Sequence, residues 1–170
     1  SYATLPLSLQ FLTIAITLMP VSLLMGKIGR RPMFLIGAMA AFIGCLIIAF
    51  SIFNKVFSLF IFGSILLGFS QANQQFYRYA AADNVSTKLK SKAISLVLAG
   101  GLIAAIIGPE VSRYSFDFFP DYMYLATYIC AALIQIFNFG VLIFVNIKKP
   151  KSTKYYSRIA NKARKLLLSM

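Results

Sequence analysis

Residues 22–37 read SLLMGKIGRRPMFLIG, three cations set between two apolar runs. An apolar run that reaches back to Leu5 stops at Met25. Lys27, Arg30 and Arg31 then arrive within five residues, and a second apolar run starts at Pro32. A seam this short allows only a tight hairpin, so two long apolar segments must lie side by side and antiparallel. Gly26 and Gly29 permit the turn, and Pro32 suits the first turn of a helix because its absent N–H is not needed there.

Composition names the solvent of those segments. Of 170 residues, 59% are hydrophobic and 12% are charged, against about 45–50% and about 25% in a soluble domain. The mean hydropathy is +0.79. The only acids are Asp83, Glu110, Asp117 and Asp121. So little charge cannot cover a water-facing surface, and lipid becomes the expected surroundings. A net charge of +13 would point a soluble protein toward nucleic acid. Here the cations sit in short seams rather than along one polar face, so no nucleic-acid partner is expected. Cys45 and Cys130 fall inside apolar runs, where thiols behave as small hydrophobes, and the chain has no histidine. No disulfide, metal site or cofactor is expected.

A membrane-crossing helix needs about 20 mostly apolar residues. Five segments qualify, 5–25, 32–53, 56–77, 93–112 and 122–147, separated by seams at 26–31, 54–55, 78–92 and 113–121. None shows the alternation of a barrel strand, so the expectation is an all-α, polytopic membrane helix bundle with five transmembrane helices. Fifteen of the 17 Lys and Arg residues fall on one side, in the seams around Lys27 and Lys90 and in the tail from Lys148; Lys55 and Arg113 fall on the other. Cytoplasmic loops carry the Lys/Arg excess. The first span is therefore expected to run from outside to inside, with the tail cytoplasmic. A chain oriented this way, opening on Ser1, is expected to be a piece of a longer protein.

Three stretches carry candidate function. In SILLGFSQANQQFYRYAAAD, Ser64, Gly68, Gln71, Gln75 and Arg78 recur every three or four residues and share one helix face, with Asn73 and Gln74 beside it. A polar stripe within a span faces either a neighbouring helix or a water-filled cavity. Two amides and an arginine exceed what packing needs, which favours a cavity, and Asp83 lies close enough in sequence to pair with Arg78. In SLVLAGGLIAAIIGPEVSRYS, Gly100, Gly101 and Gly108 invite close packing and Pro109 a kink. Glu110 is the one acid placed within a span: either an interfacial ion pair with Arg113, three residues on, or a proton-coupling carboxylate. Gln10, Thr13 and Thr17, and Gln135 with Asn138, make smaller stripes read as packing.

The opening seam resembles the signature between the second and third helices of the major facilitator superfamily, roughly G-x-x-x-D-R-x-G-R-R. Lys27, Gly29, Arg30 and Arg31 fit its cationic half, while Gly26 replaces the aspartate and Ser22 the leading glycine. The aspartate helps latch the two halves of such transporters on the cytoplasmic side, so here another acid must supply the latch or it is absent. Gly108 and Pro109 are similar to the glycine–proline ending of the fifth helix in the family's exporters, although the glycine pair expected after the proline is replaced by Glu110, Val111 and Ser112.

The order of these features resembles helices two to six of such a transporter. Residues 1–147 would be a partial N-terminal bundle, an incomplete six-helix half lacking its first helix. Residues 148–170 would be a basic cytoplasmic linker to a second bundle. The resemblance implies secondary active transport of a small solute by alternating access in a bacterial inner (plasma) membrane, with proton-coupled export hinted at. Gln71, Asn73, Gln74, Gln75 and Arg78 would line the solute path, and Lys27, Gly29, Arg30 and Arg31 would form a gating loop. Partners would be the solute, the lipid bilayer, protons and the remainder of the same transporter. No paired acids, nucleophile–base couple or phosphate loop occurs, so no catalytic residue or enzymatic activity is expected. The alternative is a non-transporting membrane scaffold or assembly protein whose polar stripes only pack helices.

Overall fold

Lipid offers the backbone no hydrogen-bond partners, and helices pair it internally. A computed structural model of the chain describes residues 4–115, 118–119, 122–145 and 147, which are helical apart from their turns. The helices are α1 (Leu5–Lys27), α2 (Arg30–Asn54), α3 (Phe57–Gln74), α4 (Tyr77–Asn84), α5 (Lys90–Ser115) and α6 (Leu125–Phe144), with a 3₁₀ turn at Thr87–Leu89 leading into α5. Four helical stretches are long and apolar enough to cross a membrane: Leu5–Lys27, Arg30–Asn54, Thr87–Ser115 and Leu125–Phe144. The chain is thus a multi-pass helical membrane protein. α3 has 18 residues, about 27 Å of helix, and its polar end at Gln71, Asn73 and Gln74 dilutes its hydropathy. The tail from Lys148, with Asp117 and Asp121, lies outside the described residues.

Two expectations need correction. The segment 56–77 is not one helix. The Phe76 N–H bonds Asn73 O at 3.1 Å, three residues back, while Gln75 N–H reaches Gln71 O at 3.3 Å. This tightened turn separates α3 from α4, and no glycine or proline announces it. The seam 78–92 is not a loop either. Ala80, Ala81 and Ala82 favour helix, Ala80 enters the core, and α4 occupies the seam's first half.

Small residues set the packing. α2 lies at the centre against α3 and α6, and α3 fills the space between α1 and α2, which touch little directly. On α2, Gly37, Ala41, Gly44 and Ile48 form one buried face. A Cβ at Gly63 would stand 2.5 Å from Ile48 Cγ1 and 2.9 Å from Gly44 O. One at Gly68 would stand 2.7 Å from Gln10 O, so α3 sits almost backbone to backbone on both neighbours. Close approach multiplies dispersion contacts, which hold helices together where lipid is as apolar as leucine. The best-packed cluster joins Val21 and Met25 of α1, Met33, Phe34 and Ala38 of α2, Ala80 and Leu142. It lies at the end of the bundle that carries Lys27, Arg30 and Arg31, called the basic end below.

α5 stands apart. It contacts α4 and only brushes α6, to which the Ser115 and Thr127 hydroxyls tie it at 2.7 Å. Where Cβ atoms would stand on Gly100, Gly101 and Gly108, nothing lies within 4 Å. The close packing expected at these glycines is therefore not made among the described residues, because α5 and α6 diverge below their shared end.

Candidate functional site

At the basic end the opening seam shrinks to two residues, Ile28 and Gly29. Gly29 takes φ 110° and ψ 162°, a conformation essentially reserved for glycine. The Ile28 and Gly29 N–H groups close the last turn of α1 on Leu24 O and Met25 O at 2.8 and 3.1 Å. Lys27 ends α1, where a cation complements the helix dipole. The turn aims the next two arginines at different partners. Arg30 Nη1 lies 2.8 Å from Asp83 Oδ2 and donates to Tyr79 O at 3.1 Å, which ties α2 to α4. Arg31 Nη2 donates to Ile143 O in the last turn of α6, again a cation on helix-terminal carbonyls.

Asp83 therefore pairs with Arg30, 53 residues away, and not with Arg78 as expected from proximity in sequence. An acid does stand beside the seam, although Gly26 lacks one. The gap left by Ser22 and Gly26 is a cavity of about 350 Å³ with Arg30 and Asp83 on its wall.

The polar stripe of α3 divides between two environments. Ser64 is buried with its hydroxyl on Phe60 O at 2.9 Å, and Gly68 meets Gln10 and Thr13 of α1, so this half of the stripe packs. Gln71 is half-buried. Asn73 is 1% exposed and faces α2, against the position where Gly37 would carry a Cβ. Its Nδ2 donates to Phe69 O at 3.0 Å, and its Oδ1 is buried without a partner.

Gln74, Gln75 and Arg78 are brought together on one wall of a cavity of about 670 Å³, whose other wall is α5 through Val97, Leu98, Gly101 and Leu102. That size lies within the range of small-molecule sites, about 300–1,000 Å³. Arg78 lies over the Tyr79 ring at 5.0 Å from its centroid. Its Nε is buried without a hydrogen-bond partner, and no acid among the described residues pairs with it. Nearby, Phe34 meets Tyr77 edge to face at 4.6 Å, which fixes the start of α4.

At the opposite end, Glu110 and Arg113 approach to 3.9 Å with side chains 52% and 73% exposed. α5 continues as helix through Gly108 and Pro109. Thr13 and Thr17 return their hydroxyls to Leu9 O and Thr13 O on α1 itself, and Asn138 donates to Gln135 at 3.2 Å.

The Major Facilitator Superfamily profile matches residues 1–169. The chain belongs to this superfamily. It is also 34% identical over 163 residues to the riboflavin transporter RfnT of Brucella anthropi, which covers 96% of this chain and 40% of that protein. The chain thus spans less than half the length of that relative. No solved structure matches.

Within the superfamily frame, reasoning from sequence missed the α2 face at Gly37, Ala41 and Gly44 and the pairing of Asp83 with distant Arg30. Small residues spaced by four and three were a visible sign of the first. Nothing local announced the second.

Proposed function

We propose that the full-length protein is a secondary transporter that moves a small solute across a bacterial inner membrane by alternating access, and that the solute is a flavin or a close relative of one. The observation that carries this reading is the cavity between α4 and α5, with Gln74, Gln75 and Arg78 facing an apolar wall. A solute path needs polar groups inside a membrane bundle with space beside them, whereas a scaffold's polar groups pair with neighbouring helices. Gln71, half-buried one turn before Gln75, continues the path toward the bundle interior, whereas Asn73 packs against α2. The flavin comes from the name of the relative that matches almost the whole chain.

In this reading residues 1–147 are part of an N-terminal bundle and residues 148–170 a cytoplasmic linker to a second one. Superfamily halves are built as two inverted three-helix repeats. α3 bridges α1 and α2, while α5 and α6 diverge around an apolar groove of about 460 Å³ that includes Gly100, Gly108 and Ala131. One further helix, the first of the half, fits that groove. Lys27, Gly29, Arg30 and Arg31, with Asp83, form the gating end, which opens when the Arg30–Asp83 pair breaks. Protons drive the cycle in the export direction, with Glu110 as the candidate coupling acid. The protein performs no chemistry on its solute.

Labelled riboflavin in cells that express the full-length reading frame tests this. The expected result is a flavin content below that of vector-only cells, with the difference abolished by a protonophore. Accumulation equal to vector-only cells under both conditions would refute flavin transport, and a protonophore-sensitive rise would reverse the direction.

A further inference from the structure

We infer that the α4–α5 cavity reads the imide edge of the solute, a carbonyl, an N–H and a second carbonyl along one side of a planar ring, with Arg78 supplying the donor and Gln74 the acceptor. The inference rests on the flavin reading above and adds which end of the solute is held and by what.

The hydrogen-bond inventory of the wall carries the argument. Gln74 Nε2 donates to Ser70 Oγ at 3.5 Å, and the amide keeps its Oε1 acceptor and a second N–H. Arg78 offers donors only. Asp83, the one nearby acid, is held by Arg30 at 2.8 Å, so the Arg78 charge is not neutralised, and its Nε–H has no partner. Gln75 is exposed and adds an amide with both functions. A wall with a strong donor beside an acceptor suits a group that itself alternates acceptor and donor.

A phosphate or carboxylate fits less well, because it would use only the donors of this wall and leave the Gln74 acceptor without a partner. The imide edge of an isoalloxazine has the required alternation without net charge. The facing wall completes the match. Val97 and Leu98 are apolar, and Gly101, with nothing within 4 Å of its missing Cβ, leaves a flat surface against which a planar ring can lie. A buried polar group discriminates strongly, since an analogue that cannot pair leaves it unsatisfied.

The test is a cycle between ligand and protein, read as dissociation constants by equilibrium dialysis of the purified full-length protein. The probes are riboflavin and 3-methylriboflavin, which lacks the imide N–H. Wild-type protein is expected to bind riboflavin about tenfold more tightly than the methylated form, one hydrogen bond's worth. Gln74→Leu should weaken riboflavin about tenfold and the methylated form less than about threefold, whereas Arg78→Gln should weaken both about tenfold, because both ligands keep the carbonyl that Arg78 donates to. Arg78→Lys should fall between, because it keeps the charge and loses the planar fork. Thermal unfolding and elution profile identify any variant that fails to fold. Equal losses for both ligands in folded Gln74→Leu protein, or no loss for either in folded Arg78→Gln protein, would overturn the inference and leave flavin binding standing. Wild-type protein that binds neither ligand would overturn the flavin reading itself, and this inference with it.

Discussion

Changing Asp83 to Asn leaves the side chain's shape almost intact and removes its charge, so it isolates the electrostatic part of the contact between α2 and α4. The magnitude follows from burial and distance. Exposed ion pairs are worth roughly 0.2–1 kcal/mol, while hydrogen bonds to charged groups reach about 1.5–3 kcal/mol. The 2.8 Å contact has side chains 11% exposed at Arg30 and 33% at Asp83, between those limits, and solvent screening at Asp83 argues for the lower half. We expect Asp83→Asn to cost ~1–2 kcal/mol.

Thermal unfolding of the purified full-length protein measures it, in a cycle of Asp83→Asn, Arg30→Gln and the double variant. Once either partner is gone, removing the other should cost less, giving a coupling of ~1 kcal/mol. The charge swap Arg30→Asp with Asp83→Arg should recover part of the loss. Recovery should stay incomplete, because Arg30 also holds Tyr79 O at 3.1 Å. Strictly additive single variants would refute the pair.

Gly63→Ala places a methyl 2.5 Å from Ile48 Cγ1 and 2.9 Å from the Gly44 carbonyl; a backbone oxygen cannot step aside, so α2 and α3 must separate at ~2–3 kcal/mol. Unfolding unchanged in this variant would mean the two helices do not meet there. Gly29→Ala forces a side chain into φ 110° and should cost ~1–3 kcal/mol, visible as faster trypsin cleavage at the Lys27–Arg31 turn; a cleavage rate like wild type would contradict the turn geometry. Glu110→Gln removes an exposed pair at 3.9 Å and should leave stability within ~0.5 kcal/mol. Its pH profile of transport decides the coupling role: a flattened profile supports it, and an unchanged one removes Glu110 from the cycle.

Much of the architecture was legible in the sequence because lipid punishes exceptions. Apolar length, cation placement and a glycine-bearing hairpin outlined the helices within a few residues: α2 runs from Arg30 to Asn54 where the apolar run indicated 32–53. What sequence could not show were relations across distance. Asp83 lies five residues from Arg78 along the chain but packs against Arg30, because the turn at Gln75–Phe76 sets the direction of α4. The same turn separates Arg78 from the upper stripe on α3, and helical periodicity carries no sign of it. Asn73 falls one position off the stripe, and that one residue turns it from the α5 side into α2.

The most direct test of the account is counterflow. Proteoliposomes of the full-length protein, loaded with unlabelled riboflavin and diluted into a trace of labelled riboflavin, should accumulate label transiently above equilibrium and then lose it. Arg78→Gln should show the same overshoot at a higher half-saturating concentration. Label that never exceeds protein-free liposomes would contradict a flavin carrier, and label that rises only to equilibrium would indicate a pore without alternating access.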